Sequence, residues 1–382
     1  MTAPQGVAAW AEVDLAAIRS NTATLRNASG VDVMAVVKAD AYGHGLIASA
    51  RAAREGGATW LGTAFVNEAL ALRAAGDEGL LLAWLHPQGA DLSGAVSANI
   101  DVSVSSVQLL GQVIDAARAV GRVTRVHLKA DSGLSRGGAS SSEWDELVAL
   151  AVRAQRSGAI EIVALWSHVA FGDEPFHPAV DAQAGAFDRA CSAAASAGVG
   201  DVLRHFSSSG PALRRPDLAF DIVRPGLAVY GLSPGAAVGE ASELGLRPAM
   251  TLRSTVAQVK SVEAGVGVSY SYRYTTAQAT RLALIPIGYA DGIPRAATNQ
   301  GPLLVGGQRT QIAGTVCMDQ VVVDLGLQSS VSVGDEVVVF GDGIDGAPTA
   351  ADWAHASGTI VYEIITRIGP RVARVYVGDD QK

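Results

Sequence analysis

The chain has 382 residues but only two cysteines, Cys191 and Cys317. They are too few and too far apart for a disulfide framework or a Cys-based zinc site. Basic excess is missing as well. The net charge is −8, and no basic run or aromatic-interleaved patch breaks the pattern, which argues against a nucleic-acid ligand. Nor is there an uncharged apolar run near the roughly 20 residues that span a bilayer. The opening "MTAPQGVAAWAEVDL" has neither a basic n-region nor a long apolar core. The expectation is a cytoplasmic protein in a reducing setting, with no metal and no membrane or nucleic-acid partner. What the chain does have is 49% hydrophobic residues and the length for two domains.

Up to about residue 225, apolar runs of strand length alternate with Ala-rich stretches of helical period. The expected strands are Val33–Val37, Thr59–Thr63, Leu80–Trp84, Asp101–Val104, Val123–Leu128, Ile160–Trp166, Val202–Phe206 and Phe220–Val223. Helical stretches between them include Leu46–Glu55, Asn67–Ala75, Ser106–Val120 and Glu143–Gln155. Eight strands with helical crossovers suit a (β/α)8 barrel, although a doubly wound open sheet has the same alternation. The polar residues decide between them. Lys38 follows the first run, Lys129 the fifth, His168 the sixth, Ser207–Ser209 the seventh and Arg224 the eighth. In a barrel, chemistry gathers at the C-terminal ends of the strands. One reactive residue after strand upon strand favours the barrel.

From about residue 245 the texture changes to short β runs punctuated by Gly and Pro, among them "RLALIPIG", "QVVVDL" and "DEVVVFG". Only Ala350–Ala356 reads as helical there. The expected division is a barrel over 1–240 and an all-β domain over 241–382, with the extreme N-terminus able to pair with the latter.

Lys38 closes a fully apolar run, "MAVVK", and precedes a Tyr-Gly-His-Gly turn. A lysine usually snorkels to solvent. One held in a barrel mouth is partly desolvated, which lowers its pKa and suits it to imine formation. The Ser207–Ser209 run and the Gly226-Leu227 amides fall where barrels often hold a phosphate. An amine that forms an imine, beside a phosphate cradle, points to pyridoxal 5'-phosphate (PLP).

Seven segments in order, "AVVKADAYGHG", "HLKADSGLSRGG", "VRPGLAVYG", "GVSYSYRY", "IPIGYADG", "GTVCMDQ" and "IVYEIITRIG", closely resemble the alanine racemase family. The likeness runs from "WAEVDLAAIRSN" to the end of the chain. It implies a PLP-binding barrel followed by a β domain, and an isomerase that interconverts L- and D-alanine to supply D-alanine for peptidoglycan. By resemblance, Lys38 forms the internal aldimine and is the base on the D-face, and Tyr270 is the base on the L-face. Tyr42, Ser209, Gly226, Leu227 and Tyr362 match the phosphate-binding set. Arg224 matches the residue facing the pyridine nitrogen, and His168 the link from Arg224 to Tyr270. Arg136, Tyr289 and Met318 match substrate-contacting positions, Arg136 also lying near the cofactor phenolate. Lys129 matches a lysine that is often carbamylated and then orients Arg136. Because Tyr270, Tyr289 and Met318 lie in the β domain, the resemblance implies a homodimer whose β domains serve each other's barrels. Two positions depart from the family pattern. Ser208 stands where Asn is typical, and Thr366 stands where Cys is common and reads as a packing residue.

Rival readings are a PLP-barrel decarboxylase, a PLP carrier and a racemase for serine or another small amino acid. Decarboxylases usually set an acidic residue against the ring nitrogen, where this chain has Arg224. A carrier of the single-barrel type would leave "GVSYSYRY" and "VCMDQ" without a purpose.

Overall fold

The computed structural model describes residues 4–379. The chain divides into two compact units. One is built from Ala17–Ala41 and Leu46–Arg247, and the other takes the chain up to Ala16, the short segment Tyr42–Gly45 and the chain from Pro248 onward.

In the first unit, eight parallel strands close into a barrel in chain order. They are Asp32–Val36, Trp60–Thr63, Leu80–Ala83, Asp101–Val104, Thr124–Lys129, Ile160–Trp166, Leu203–His205 and Ile222–Val223. The open-sheet alternative is thereby excluded, because the last strand pairs with the first through Asp32–Ile222 and Val33–Val223. The first run is apolar because both faces are covered: the four residues of "MAVV" are all buried. Met34, Trp60, Leu82, Val163, Ala164 and Ile222 form one cluster inside. Some strand ends differ from those the sequence suggests. The eighth begins only at Ile222, because Phe220 adopts a left-handed φ of 51° that a strand cannot carry. The fifth runs one residue further and takes in Lys129.

The second unit is mostly β. Its six-stranded sheet sets Ala9–Asp14 between antiparallel Met250–Thr255 and parallel Ala373–Val377. A three-stranded sheet is built from Gln258–Val262, Thr280–Ile285 and Val321–Asp324. The expectation of a single helix here is corrected. Ala350–Ser357 is helical, and so is Val361–Thr366. The second was hidden by "IVYEIIT", whose β-branched residues have strand-like propensity. Tertiary packing overrides that propensity by burying Ile364 and Ile365.

Candidate active site

The first barrel strand hands the chain directly to Lys38, and the next turn is unusual. Ala39, Asp40, Ala41 and Tyr42 all have left-handed backbone, with φ of 53°, 53°, 55° and 54°. For L-residues this costs roughly 1–2 kcal/mol each, so consecutive residues adopt it only where the surroundings impose it. Several contacts hold the turn. The Ala41 N–H donates to Val37 O at 2.9 Å. Ala39 N–H donates to the Glu68 carboxylate at 2.6 Å, and Leu46 N–H donates to Asp40 at 2.7 Å.

Four further polar side chains share the barrel's C-terminal end with Lys38. Burial lowers the pKa of the Lys38 amine; the Arg136 guanidinium adds to this, while Glu68 opposes it. Lys129, at the end of the fifth strand, lies 4.4 Å from the Trp166 ring centroid. Burial, reinforced by Arg224, Arg136 and Lys38, brings its amine down to about 8. His168 is driven well below its ordinary range by burial and by the fields of Arg224, Arg136, Lys129 and Lys38. It is a neutral imidazole. The same fields that perturb these groups show that the structure brings Lys38, Lys129, Arg136, His168 and Arg224 together, as the sequence led one to expect.

Arg224 is the hub of this cluster. It is 4% exposed, and burial lowers its guanidinium to about 9, which leaves it a cation at neutral pH. Its Nη2 donates to Ser167 O at 2.8 Å and to His168 Nδ1 at 3.2 Å, and its Nη1 donates to His205 Nδ1 at 3.0 Å. A guanidinium has donors only, so both histidines must accept at Nδ1 and carry their proton on Nε2. The assignment then propagates inward. His205 Nε2 donates to His127 Nδ1 at 2.9 Å, and His127 Nε2 donates to Asp101 at 3.1 Å. Asp101 in turn accepts from Arg125 Nε at 2.9 Å. Only one direction of donation satisfies every member of this buried chain. Sequence reasoning missed His205, His127 and Asp101, because each lies in a strand and its partner lies in another, which spacing along the chain does not reveal.

The anion cradle lies after the seventh and eighth strands. Ser209 Oγ accepts from the amides of Gly226 at 3.0 Å and Ala228 at 3.3 Å. Leu227–Tyr230 is a short 3-10 turn, so its first N–H groups have no partner within the turn. Converging amides with a hydroxyl among them suit a phosphate dianion. Gly210 is also needed here, since a side chain would run into the Gly172 carbonyl. Ser208 caps the Ser209–Arg214 helix by position only, with no side-chain bond to it. Arg136 is exposed, on a loop that Asp131 organises by accepting from the amides of Gly133, Leu134 and Ser135 at 2.9–3.1 Å.

The remaining expected residues lie in the other unit. Tyr42 is buried, its ring centroid 6.1 Å from that of Tyr362, and burial pushes its phenol further up. Gly43 lets the backbone close on the Val361–Thr366 helix, where a side chain would meet Ile365 O. Thr366 is exposed and its hydroxyl donates to Tyr362 O at 2.6 Å, so the packing role expected of it is corrected. Tyr289 and Met318 lie on two turns joined by backbone bonds: Tyr289 N–H donates to Cys317 O at 3.0 Å and Ala290 N–H to Met318 O at 2.9 Å. Tyr270 is 70% exposed, and its carbonyl accepts from Thr315 Oγ1 at 2.8 Å.

An eight-stranded barrel with a deprotonatable amine, a buried guanidinium and an anion cradle at one mouth defines a class: barrel enzymes that work through a phosphorylated carbonyl cofactor. Comparison with known proteins narrows the class. The model for the alanine racemase N-terminal domain matches residues 13–234, and that for the C-terminal domain matches residues 249–376. The alanine racemase of Frankia casuarinae is 52% identical over 368 residues, spanning 96% of each chain. The crystal structure of the enzyme from D-cycloserine-producing Streptomyces lavendulae superposes with a TM-score of 0.96 at 50% identity, covering 98% of each chain. That of the Bartonella henselae alanine racemase, with covalently bound pyridoxal phosphate, gives 0.86 at 28% identity over 97% of this chain and 100% of that one. The chain belongs to the alanine racemase family.

Proposed function

We propose that this protein interconverts L- and D-alanine with PLP as its cofactor, acting in the cytoplasm as a homodimer that supplies D-alanine for peptidoglycan. The observation that carries the reading is the convergence of Lys38, His168, Arg224 and the Ser209 cradle on one end of the barrel. These residues fit the cofactor. Lys38 would hold it covalently, Ser209 and the Gly226 and Leu227 amides would take its phosphate, and the resemblance adds Tyr42 and Tyr362 to that set. When bound, the cofactor supplies an electron sink that makes the α-proton of an amino acid acidic enough to remove.

The chain's own residues then decide what kind of proton transfer occurs. Inversion needs a base on each face of the α-carbon. Lys38, with its amine pKa lowered by burial, is fitted to take and return the proton on the D-face. Tyr270 is assigned to the L-face, reaching it from the β unit of a second copy; its 70% exposure in the single chain suits a residue delivered elsewhere. A free tyrosine titrates near 10, so the phenolate needs help. His168 supplies it: with Nδ1 committed to Arg224, only Nε2–H is available, and that N–H can only donate. Arg224 is the residue assigned to the ring nitrogen. All its protons stay on the guanidinium at neutral pH, so it offers a hydrogen bond there without surrendering a proton. This limits charge withdrawal into the ring and disfavours side reactions at other atoms. Arg136 and the Met318 backbone are assigned to the substrate carboxylate, and Tyr289 to the crowding that favours a methyl side chain. Lys129, whose amine titrates near 8, is suited to carbamylation, after which its negative charge would orient Arg136.

The test is direct. Purified protein is incubated separately with L-alanine, L-serine and L-lysine, and the D-enantiomer is measured by chiral chromatography. D-Alanine should form fastest. One added methylene or hydroxyl should lower kcat/KM about 10- to 200-fold. Equal efficiency on lysine would refute the substrate assignment.

A further inference from the structure

The carboxylate of Glu68 makes two kinds of contact at once. One oxygen accepts from Ala64 N–H at 2.9 Å and Phe65 N–H at 3.0 Å, at the start of the Val66–Ala74 helix. That is an ordinary helix-start arrangement for a glutamate three residues in. The other oxygen crosses to the Ala39 amide at 2.6 Å, the shortest of the three bonds and the one with no bearing on the helix. Ala39 is the residue after Lys38 and the first of the four in left-handed conformation. A run of amides in that conformation turns its N–H groups to the same side and attracts an anion. It also needs an external anchor, because its backbone is unfavourable by several kcal/mol on its own.

We propose that Glu68 is a positioning residue for Lys38: its carboxylate clamps the left-handed turn to the loop after the second barrel strand and thereby fixes where the cofactor-bearing amine stands. The inference rests on Lys38 being that lysine. The clamp spans the C-terminal ends of two neighbouring strands, Asp32–Val36 and Trp60–Thr63, which pair in parallel through Met34–Trp60. It therefore ties the turn that carries the amine to the segment joining the second strand to its helix. A negative charge at this point also partly offsets the fields that lower the Lys38 pKa; Arg136 is the other charged group acting on that amine. Glu68 itself touches neither substrate nor reacting atoms in this scheme.

Two variants separate the clamp from the helix start. Glu68→Gln has one carbonyl oxygen and cannot serve both contacts as an anion. Phe65→Ser combined with Glu68→Gln gives the helix a serine cap of its own, leaving only the Ala39 contact damaged. Borohydride reduction of the unmutated protein is read first. An adduct on a lysine other than Lys38 overturns the cofactor assignment, and this inference with it. With the adduct on Lys38, both variants should release PLP roughly 10-fold faster on dialysis, as loss of one charge-assisted bond implies. In cofactor-free protein, acetylation of Lys38 followed by peptide mass spectrometry should titrate at lower pH in both variants than in the unmutated protein. The double variant should regain thermal stability without regaining either property. If it regains all three, Glu68 acts through its helix alone and the positioning role is refuted while the cofactor assignment stands.

Discussion

Acid should weaken the barrel well before its carboxylates are protonated, because three of its histidines are held neutral. Burial drives His168 and His205 well below their ordinary range and lowers His86 to about 4. His86 has both ring nitrogens buried without a well-formed hydrogen bond; the nearby backbone of Ala83 and Ser103 favours its cation only weakly against that burial. In each case the unfolded chain binds a proton near pH 6.5 that the folded chain refuses. The stability these groups contribute is therefore whole above pH 6.5 and is lost as pH falls, for His86 until about 4. Between pH 7.5 and 5.5 each histidine should cost about 1.4 kcal/mol, or about 4 kcal/mol for the three. Denaturant titrations followed by tryptophan fluorescence measure this, since Trp60, Trp84, Trp144 and Trp166 all lie in the barrel unit. His86→Phe, which takes no part in the site, should remove about one third of the pH slope whatever it does to stability at pH 7.5. A variant that keeps the full slope would show that His86 is protonated in the folded protein, and the burial argument would fail.

Three further outcomes are expected. Tyr270→Phe should lower racemisation by at least 10²- to 10⁴-fold, the range for loss of a general base; in deuterated water it should still exchange the α-proton of D-alanine but not of L-alanine, and equal exchange from both would refute the two-base assignment. Lys129, titrating near 8, should be acetylated at pH 7.4 some hundredfold faster than the exposed-loop average for lysine, with roughly a fifth of its amine neutral; peptide mass spectrometry that finds its half-reaction above pH 10 would contradict this. Ala39→Gly should raise the unfolding free energy measured in denaturant by about 0.5–1 kcal/mol, since relief of left-handed strain exceeds the added chain entropy; a loss of stability would mean that the turn is not strained.

The barrel was legible in the chain because both signals it sends are local. Fully apolar runs mark strands covered on two faces, and a reactive residue after each of five runs marks one end. The seven motifs identified the residues that touch cofactor and substrate. What escaped was everything that acts at one remove. His205, His127 and Asp101 come from three different strands, and nothing in "TRVHLK" tells a histidine that its partner lies 78 residues on. Glu68 reads in "FVNEAL" as a routine helix-start glutamate, and half of its role is just that. The left-handed turn is equally silent, for "KADAY" contains no glycine and has good right-handed propensity. The missed Val361–Thr366 helix shows the reverse error, where local preference was trusted and burial decided otherwise.

The strand Ala9–Asp14 is made well over two hundred residues before either of its neighbours in the sheet, Met250–Thr255 and Ala373–Val377. Until those segments have been made, the strand has two open edges and neither of its sheet partners. A strand in this condition is a template for the wrong partner, and contacts closed over such sequence separations form slowly. The second unit thus cannot finish folding until Ala373–Val377 has been made, whereas all eight barrel strands have been made by Val223. Expression yield should accordingly depend on chaperone supply more than the stability of the finished protein suggests. Truncations before Ala373 should aggregate instead of yielding a shortened but folded chain.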